Sequence, residues 1–420
     1  MHDDDELAPL LRRAIDDVRV TSVALSHFKN IRSLQLDFPP AHSTRGHWTC
    51  IAGINGAGKS AVLQAITLAL LGDRLAAELG GDRLQRARRV DNDGPHDASI
   101  ALSLRTGQGS FRLALDLDAS GVADRDDDPS TAREMRAFWK ARPQHHLLRA
   151  YGPGRNLSEY IDKRYADRSP HVQAVMTLFD PLTQVASAEA IVEKAADAGF
   201  LEHLVPLVNH LFQDLGVTAI ADGASLRFAS QGATLAAVDL PDGLRATLAW
   251  VADLCFAWYA IATPEERAEG FASMRATVLV DEIDLHLHPK LQRTLVTRLR
   301  ERLPRVQWIV TTHSPLVLAS FDREEIVLLE PDPENGVRRR PLDRQIMGFT
   351  LDEIVSWLME TAPHSAALDA VAGAPVDPEE RLAFLLSLSP TVGEREAREA
   401  LDVVRERATG TTGEPPEGGS

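Results

Sequence analysis

Gly53-Ile-Asn-Gly-Ala-Gly-Lys-Ser60 is the stretch on which the reading of this 420-residue chain turns. It satisfies the spacing G-x-x-x-x-G-K-[ST] at every specified position. An apolar, strand-like run, Trp48-Thr-Cys-Ile-Ala52, leads in, and a helix-like run, Ala61 to Leu71, leads out and stops at Gly72. That order has a physical purpose. Glycines let the backbone curl so that successive N–H groups converge on a phosphate, and the following helix N-terminus adds its partial positive charge. The expected cradle comprises Asn55, Gly56, Ala57, Gly58, Lys59, Ser60 and Ala61. Lys59 should reach the β- and γ-phosphates of a nucleoside triphosphate, and the Ser60 hydroxyl should ligate Mg²⁺. The plain alternative is a glycine-rich turn that happens to precede a helix.

Two later segments extend the reading from binding to hydrolysis. Ala276-Thr-Val-Leu-Val280 is a short β-branched run ending in Asp281-Glu282. An acidic residue at the tip of such a strand helps to hold Mg²⁺, which assigns Asp281 to the metal. A second carboxylate beside it, Glu282, can take a proton from the attacking water. Val306-Gln-Trp-Ile-Val310 is another buried-strand pattern, ending in Thr311-Thr-His-Ser-Pro315. A histidine there would lie on the edge where open α/β sheets bind ligands, so His313 is a candidate donor to the γ-phosphate. Glu282, His313 and Lys59 are the predicted catalytic residues.

Asn55-Gly-Ala-Gly-Lys-Ser60, Val280-Asp-Glu-Ile-Asp-Leu-His-Leu-His-Pro289 and Thr311-Thr-His-Ser-Pro315 together resemble the ABC-type ATPases of the SMC/RecF/OLD branch. Val23 to Phe38 is similar to that branch's first hairpin, and Tyr151-Gly-Pro-Gly-Arg155 to a segment of its stand-alone bacterial members, which include the ATPase subunit of Septu-type anti-phage systems. The resemblance runs from about residue 18 to about 360. It implies an α/β, P-loop ABC-type ATPase head, a mixed and parallel sheet flanked by helices, with ATP and Mg²⁺ as cofactors. It also implies a head-to-tail dimer in which each ATP meets the P-loop of one subunit and a signature loop of the other.

The signature candidate is Leu240-Pro-Asp-Gly-Leu-Arg245, opening an apolar helical run to Ala260, with Gly243 offering its amide to the opposite nucleotide. The family usually has Ser where this chain has Pro241. Proline supplies neither hydroxyl nor N–H, which predicts slow hydrolysis. In the first hairpin the resemblance brings His27, Phe28, Lys29, Asn30 and Arg32 near the nucleotide, with Asn30 the chosen contact; a solvated turn is the alternative. Arg155 is a candidate near the nucleotide and Gln144 a weak candidate for the glutamine loop. His286 and His288, with Asp284, could suggest a metal site, but the resemblance makes them the loop after the catalytic acids.

Composition fits a soluble, cytoplasmic enzyme: 44% hydrophobic and 25% charged residues are ordinary for a globular chain of this length. Cys50 and Cys255 both sit in apolar runs and read as reduced core residues, not a disulfide framework. No signal peptide is legible. The longest apolar run, Ala246 to Ala262, holds Asp253 and reads as a buried helix, so no membrane partner is expected. A net charge of −16 argues against coating nucleic acid over the whole surface. Local patches remain, at Arg83, Arg86, Arg88 and Arg89 and at Arg338-Arg-Arg340, with surface solvation the alternative for both.

The expected organisation is an acidic segment at 1–17, the ATPase domain at 18–345 with a helical lobe at about 131–240, a helical segment at 346–408 and a disordered tail at 409–420. Asp116 to Ser130 reads as an exposed acidic loop, and the pattern after Glu330 as helical. Sustained heptads are absent, so no long coiled coil is expected. The C-terminal segment shows no nuclease-like acidic cluster, so any cutting would fall to a separate chain.

Three functions follow: an ATPase of a bacterial defence or DNA-maintenance complex that licenses a partner effector such as a nuclease, a RecF-like repair ATPase binding DNA itself, or a scaffold that assembles on ATP with little turnover.

Overall fold

The structure is a computed structural model that describes residues 18–39, 46–106, 109–124, 147–154, 156–158, 165–195 and 197–342. The acidic segment 1–17, Gln144, Arg155, the stretch 131–146 and the segments 346–408 and 409–420 lie outside the described residues.

The chain opens with β1 (Arg19–Phe28), β2 (Ile31–Asp37) and β3 (His47–Gly53), then α1 (Lys59–Ala77). Next come β4 (Ala98–Thr106), β5 (Gly109–Asp118), β6 (Gly121–Asp124) and β7 (Leu147–Tyr151). A more helical stretch follows, with short helices at Pro170–Gln173 and Met176–Phe179, then α2 (Ala188–Ala195) and α3 (Ala198–Leu211). A small meander of β8 (Thr218–Asp222), β9 (Ser225–Ser230) and β10 (Ala233–Ala236) leads to α4 (Asp242–Ile261). The last part holds β11 (Ala276–Val280), α5 (Pro289–Arg302), β12 (Val306–Thr312), β13 (Ile326–Asp332) and β14 (Gly336–Arg340).

Two sheets organise these elements. One is antiparallel, in the order β2-β1-β4-β5-β6. The other runs β14-β13-β3-β12-β11-β7 and is parallel except for β14, which pairs antiparallel with β13. The sequence explains the split. β1 alternates buried and half-buried positions, as one covered face requires, whereas all positions of β11 and β12 are buried, as in a strand covered on both faces. Helix α1 packs against strands of both sheets, and its Val62, Ile66 and Leu70 share one core with Leu25 and Leu102 of the first sheet and Leu279 and Ile309 of the second. Gln307 ties the sheets together: its Oε1 accepts from the Val20 N–H at 2.9 Å and its Nε2 donates to the Val20 carbonyl at 2.8 Å. A buried amide at 6% exposure thus meets both needs of a strand backbone where β1 has a register shift.

Several expectations need correction. The helix after the glycine loop breaks at Gly72, where it was expected to stop: Gly72 adopts φ 77° and ψ 171°, a conformation that L side chains avoid, and a second helical stretch runs on from there to Ala77. Asp116 and Asp118 end β5 and Gly121–Asp124 forms β6, so this part of the expected acidic loop is a hairpin; Asp118 accepts the Ser120 and Gly121 amides to make the turn. After Glu330 the chain forms strand β14 instead of a helix, because it pairs antiparallel with β13.

Helices α1 and α4 are long and apolar enough to cross a membrane, but 67% of the apolar stretch of each is buried inside the protein, which makes them core helices. Cys50 and Cys255 are buried and free, and burial raises both thiols well above their usual range. Among the described residues the longest helix is α4, with 20 residues.

Candidate nucleotide site

In a parallel sheet every strand delivers its C-terminal residue to the same edge. Here β3 delivers Gly53, β11 delivers Asp281 and β12 delivers His313, which brings the three motifs together.

The glycine loop cannot be built from other residues. Gly53 has φ 149° and a Cβ there would lie 2.2 Å from the Leu329 carbonyl oxygen of β13. Gly58, at φ 83°, is the N-cap of α1 and packs under Val337 and Asn30. Lys59 is only 6% exposed, and its Nζ donates to the Gly53 and Ile54 carbonyls, each at 3.0 Å, so it curls back across the loop. Burial lowers the Lys59 ammonium below its ordinary 10.5, and the nearby carboxylates Asp281, Glu282 and Asp284 oppose the shift. That opposition places the lysine among the acids of β11 and the loop after it.

Asn30 lies beside the cradle. Its Nδ2 donates to the Gly56 carbonyl at 2.8 Å, which pins the first hairpin to the loop. Arg89 in turn donates to the Asn30 carbonyl at 2.8 Å. Lys29, held at φ 53°, is lowered below 10.5 by burial, against the pull of Asp281. Arg32 instead pairs with Asp91 at 3.2 Å, and His27 stacks on His96 with ring centroids 4.7 Å apart.

The acids are held by hydroxyls of the neighbouring strand. Thr311 Oγ1 donates to Asp281 Oδ1 at 2.5 Å and accepts from the Glu282 N–H at 2.7 Å. The Ile283 N–H donates to the Thr311 carbonyl at 2.9 Å. One threonine therefore grips three consecutive residues. Glu282 needs that grip: its φ of 49° is left-handed, a conformation that costs a non-glycine residue about 1–3 kcal/mol and persists only where surroundings impose it. Thr312 repeats the device one step on, with Oγ1 donating to Asp284 Oδ1 at 2.5 Å and accepting from the Ser314 N–H at 2.9 Å. Ser314 donates to Gln292 Oε1 at 2.7 Å, and Gln292 Nε2 donates to the Leu287 carbonyl at 3.0 Å. The loop from Asp284 to His288 is thus fastened to β12 and α5. His288 caps α5 by accepting the Lys290 N–H at 3.2 Å, which supports the loop reading of these histidines over a metal site.

His313 is half-buried. Burial and the Lys59 charge lower it below 6.5, with Asp284 and Asp281 pulling the other way, so it is a neutral imidazole at neutral pH. The signature candidate presents a different picture. Pro241 is the N-cap of α4 and makes no side-chain cap bond, while Asp242 and Gly243 form the first turn. Gly243 is pressed against the loop after the acids: a Cβ there would lie 2.0 Å from the His286 carbonyl oxygen.

Thr311, Thr312 and Gln292 were not singled out from the sequence. The hydroxyl pair at the C-terminal end of a strand was the available signal for the threonines; nothing marked Gln292. Most arginines of the basic patches sit in ion pairs. Arg83 meets Asp180 at 3.0 Å, Arg88 meets Asp97 at 2.8 Å, Arg89 meets Asp91 at 2.7 Å and Arg338 meets Glu330 at 2.6 Å.

A glycine cradle under a buried lysine, beside clamped acids at a parallel sheet edge, defines a P-loop ATPase head of the ABC type. Residues 49–319 match the family profile described as "AAA domain, putative AbiEii toxin, Type IV TA system", and the chain belongs to that family. It is similar to the Septu protein PtuA of Bacillus mycoides (strain KBAB4), 26% identical over 347 residues, covering 80% of this chain and 44% of that protein. It is also similar to the "Retron Ec83 probable ATPase" of Escherichia coli, 26% identical over 228 residues, 54% of this chain and 40% of that protein. The chain thus spans less than half the length of these curated relatives. Among solved structures, the SMC head domain from Thermotoga maritima aligns at a TM-score of 0.47 and 18% identity, covering 78% of this chain and 100% of that one.

Proposed function

We propose that this chain binds ATP with Mg²⁺ and hydrolyses it slowly in the cytoplasm, as the regulatory subunit of a bacterial anti-phage complex whose effector, such as a nuclease, is a separate chain. The observation that carries the reading is the Thr311 clamp on Asp281 and Glu282, set beside Lys59 at one sheet edge. The likeness to a Septu protein and a retron ATPase supports the defence context.

The donor set fits the expected ligands. A backbone cradle that excludes any Cβ at Gly53 suits phosphate oxygens, and a hydroxyl with a carboxylate, Ser60 and Asp281, suits a hard oxygen-seeking ion such as Mg²⁺. When bound, Mg²⁺ neutralises charge on the β- and γ-phosphates. Asn55, Gly56, Ala57, Gly58 and Ala61 shape the cradle, and Lys59 leaves the Gly53 and Ile54 carbonyls to meet the terminal phosphates. Glu282, held in its left-handed conformation, orients the attacking water and takes its proton. Neutral His313 donates its ring N–H to the γ-phosphate. Gly243, at the first turn of α4, meets the ATP of a second, head-to-tail copy.

Phosphate release by the full chain tests this. Lys59→Ala should lose ATP affinity by about 100-fold or more. Glu282→Gln should keep ATP and lose turnover by about 100-fold or more, while trapping a dimer countable by light scattering. Equal phosphate release by wild type and Glu282→Gln would remove Glu282 as the base. The reading in which the chain itself holds DNA is less well supported, since Arg83, Arg88 and Arg89 are engaged by Asp180, Asp97 and Asp91.

A further inference from the structure

A second pocket, of about 220 Å³ and partly open to solvent, is bordered by β7, the short helices at Pro170–Gln173 and Met176–Phe179, α2 and α4. That is room for several waters or a small ligand. Apolar walls come from Met176, Val185 and Ile191. The polar groups set into them are unusual. Thr183 is 6% exposed, yet its Oγ1 has no hydrogen-bond partner. Arg149 Nε is also buried without a hydrogen bond, its nearest carboxylate oxygen being Asp253 Oδ2 at 3.6 Å, beyond hydrogen-bond length. Lys194, exposed at the pocket's rim, adds a second cation, with Nζ 5.3 Å from the Phe256 ring centroid.

Leaving such donors unmade in a protein interior costs about 1–3 kcal/mol for a neutral group and more for a charged one, so their convergence on one cavity calls for an acceptor there. Charge points the same way. Arg149 and Lys194 face the cavity against a single carboxylate, Asp253, and that carboxylate is already engaged: Tyr151 Oη donates to its Oδ2 at 2.7 Å. Burial and the Asp253 charge hold the Tyr151 phenol well above its usual range, so it keeps that proton.

We infer that this cavity binds an oxyanion, either free phosphate or the phosphate of a small monophosphate ligand, through Arg149, Lys194 and the Thr183 hydroxyl. The site is separate from the glycine cradle but adjoins the same machinery, because the Tyr151 carbonyl that closes β7 accepts from the Asp281 N–H at 2.8 Å.

The test is calorimetric titration of inorganic phosphate, and separately of AMP, into the full chain under two conditions that silence the glycine loop: saturation with Mg²⁺ and a non-hydrolysable ATP analogue, or the Lys59→Ala variant. Uptake should persist in both. It should weaken by about tenfold in Arg149→Gln and in Lys194→Gln, each of which removes a charge-assisted bond, and by a few-fold in Thr183→Val. Phosphate binding as well as AMP identifies free oxyanion as the ligand; tighter AMP binding identifies a nucleoside monophosphate. Should Arg149→Gln fail to fold, Lys194→Gln and Thr183→Val carry the comparison. The inference is overturned if neither probe binds once the glycine loop is silenced, or if binding there stays within about twofold in the charge variants. The Lys59→Ala arm stands even if the chain proves not to hydrolyse ATP, so this inference and the proposed function can fail independently.

Discussion

The sheet edge at Asp281 and the first turn of α4 contribute to the same proposed chemistry, but they are built to different standards. At the edge, each acid is gripped by a threonine of the adjacent strand, and Lys59 and Asn30 are tied to the glycine loop. At α4 the helix begins on a proline that caps nothing, and its glycine is located by close contact with the His286 carbonyl. The first arrangement is tied together by hydrogen bonds within one chain. The second is a turn backed by a packing contact. Cross-strand hydrogen bonds therefore fix the acids at the edge, while the first turn of α4 is held by its own helix, with Thr247 Oγ1 donating to the Gly243 carbonyl at 2.8 Å, and by the contact with His286.

The largest expected break is at the clamp. Thr311→Val leaves the Glu282 N–H and Asp281 Oδ1 without their hydroxyl, which should cost about 3 kcal/mol in denaturant unfolding. Turnover should fall by about 100-fold, as small misplacements of a catalytic group do. Thr311→Ser, which keeps the hydroxyl, should recover most of both. Recovery by Val as well as Ser would mean that the clamp does not hold the acids.

Next comes the packing contact. Gly243→Ala forces a methyl to within 2.0 Å of the His286 carbonyl, so the turn or the loop must shift, at about 1–3 kcal/mol. ATP affinity at the edge should stay within a few-fold, while ATP-dependent pairing measured by light scattering should weaken clearly. Loss of ATP affinity instead would show that the two regions are not separable.

A smaller effect concerns pH. His313 is lowered below 6.5 chiefly by burial, so between its folded value and 6.5 the unfolded chain takes up a proton that the folded protein does not. Stability from this source is complete above pH 6.5 and is lost as pH falls through the folded value. Unfolding measured down to pH 5 should show this slope in wild type and a flatter one in His313→Gln. The smallest change expected is a gain. Pro241→Ser supplies a side-chain cap worth about 1 kcal/mol and restores a hydroxyl at the signature turn. Phosphate release per subunit should rise a few-fold, and no rise would separate the proline from slow turnover.

Much of the edge was legible in advance because its chemistry is carried by short, contiguous words. The glycine loop, Asp281-Glu282 and His313 each lie where a strand ends. Local chemistry failed where pairing across the chain decided the outcome. The Arg-rich run in β14 became a strand because β13 offered it an edge, and three of the four arginines at 83–89 found carboxylates at Asp91, Asp97 and Asp180. Gln292 as the fastener of the loop had no local signal at all.

The sequence by itself determined that the chain carries a phosphate loop, two adjacent acids and a distant histidine, since each is a local pattern of residue types at fixed spacing. Only the tertiary structure decided how those groups are held: which threonine grips which acid, that Gly243 rests on His286, and that Arg149 and Thr183 share a cavity. Those are contacts between residues far apart in the chain, and they follow from strand register and side-chain packing that no single segment encodes.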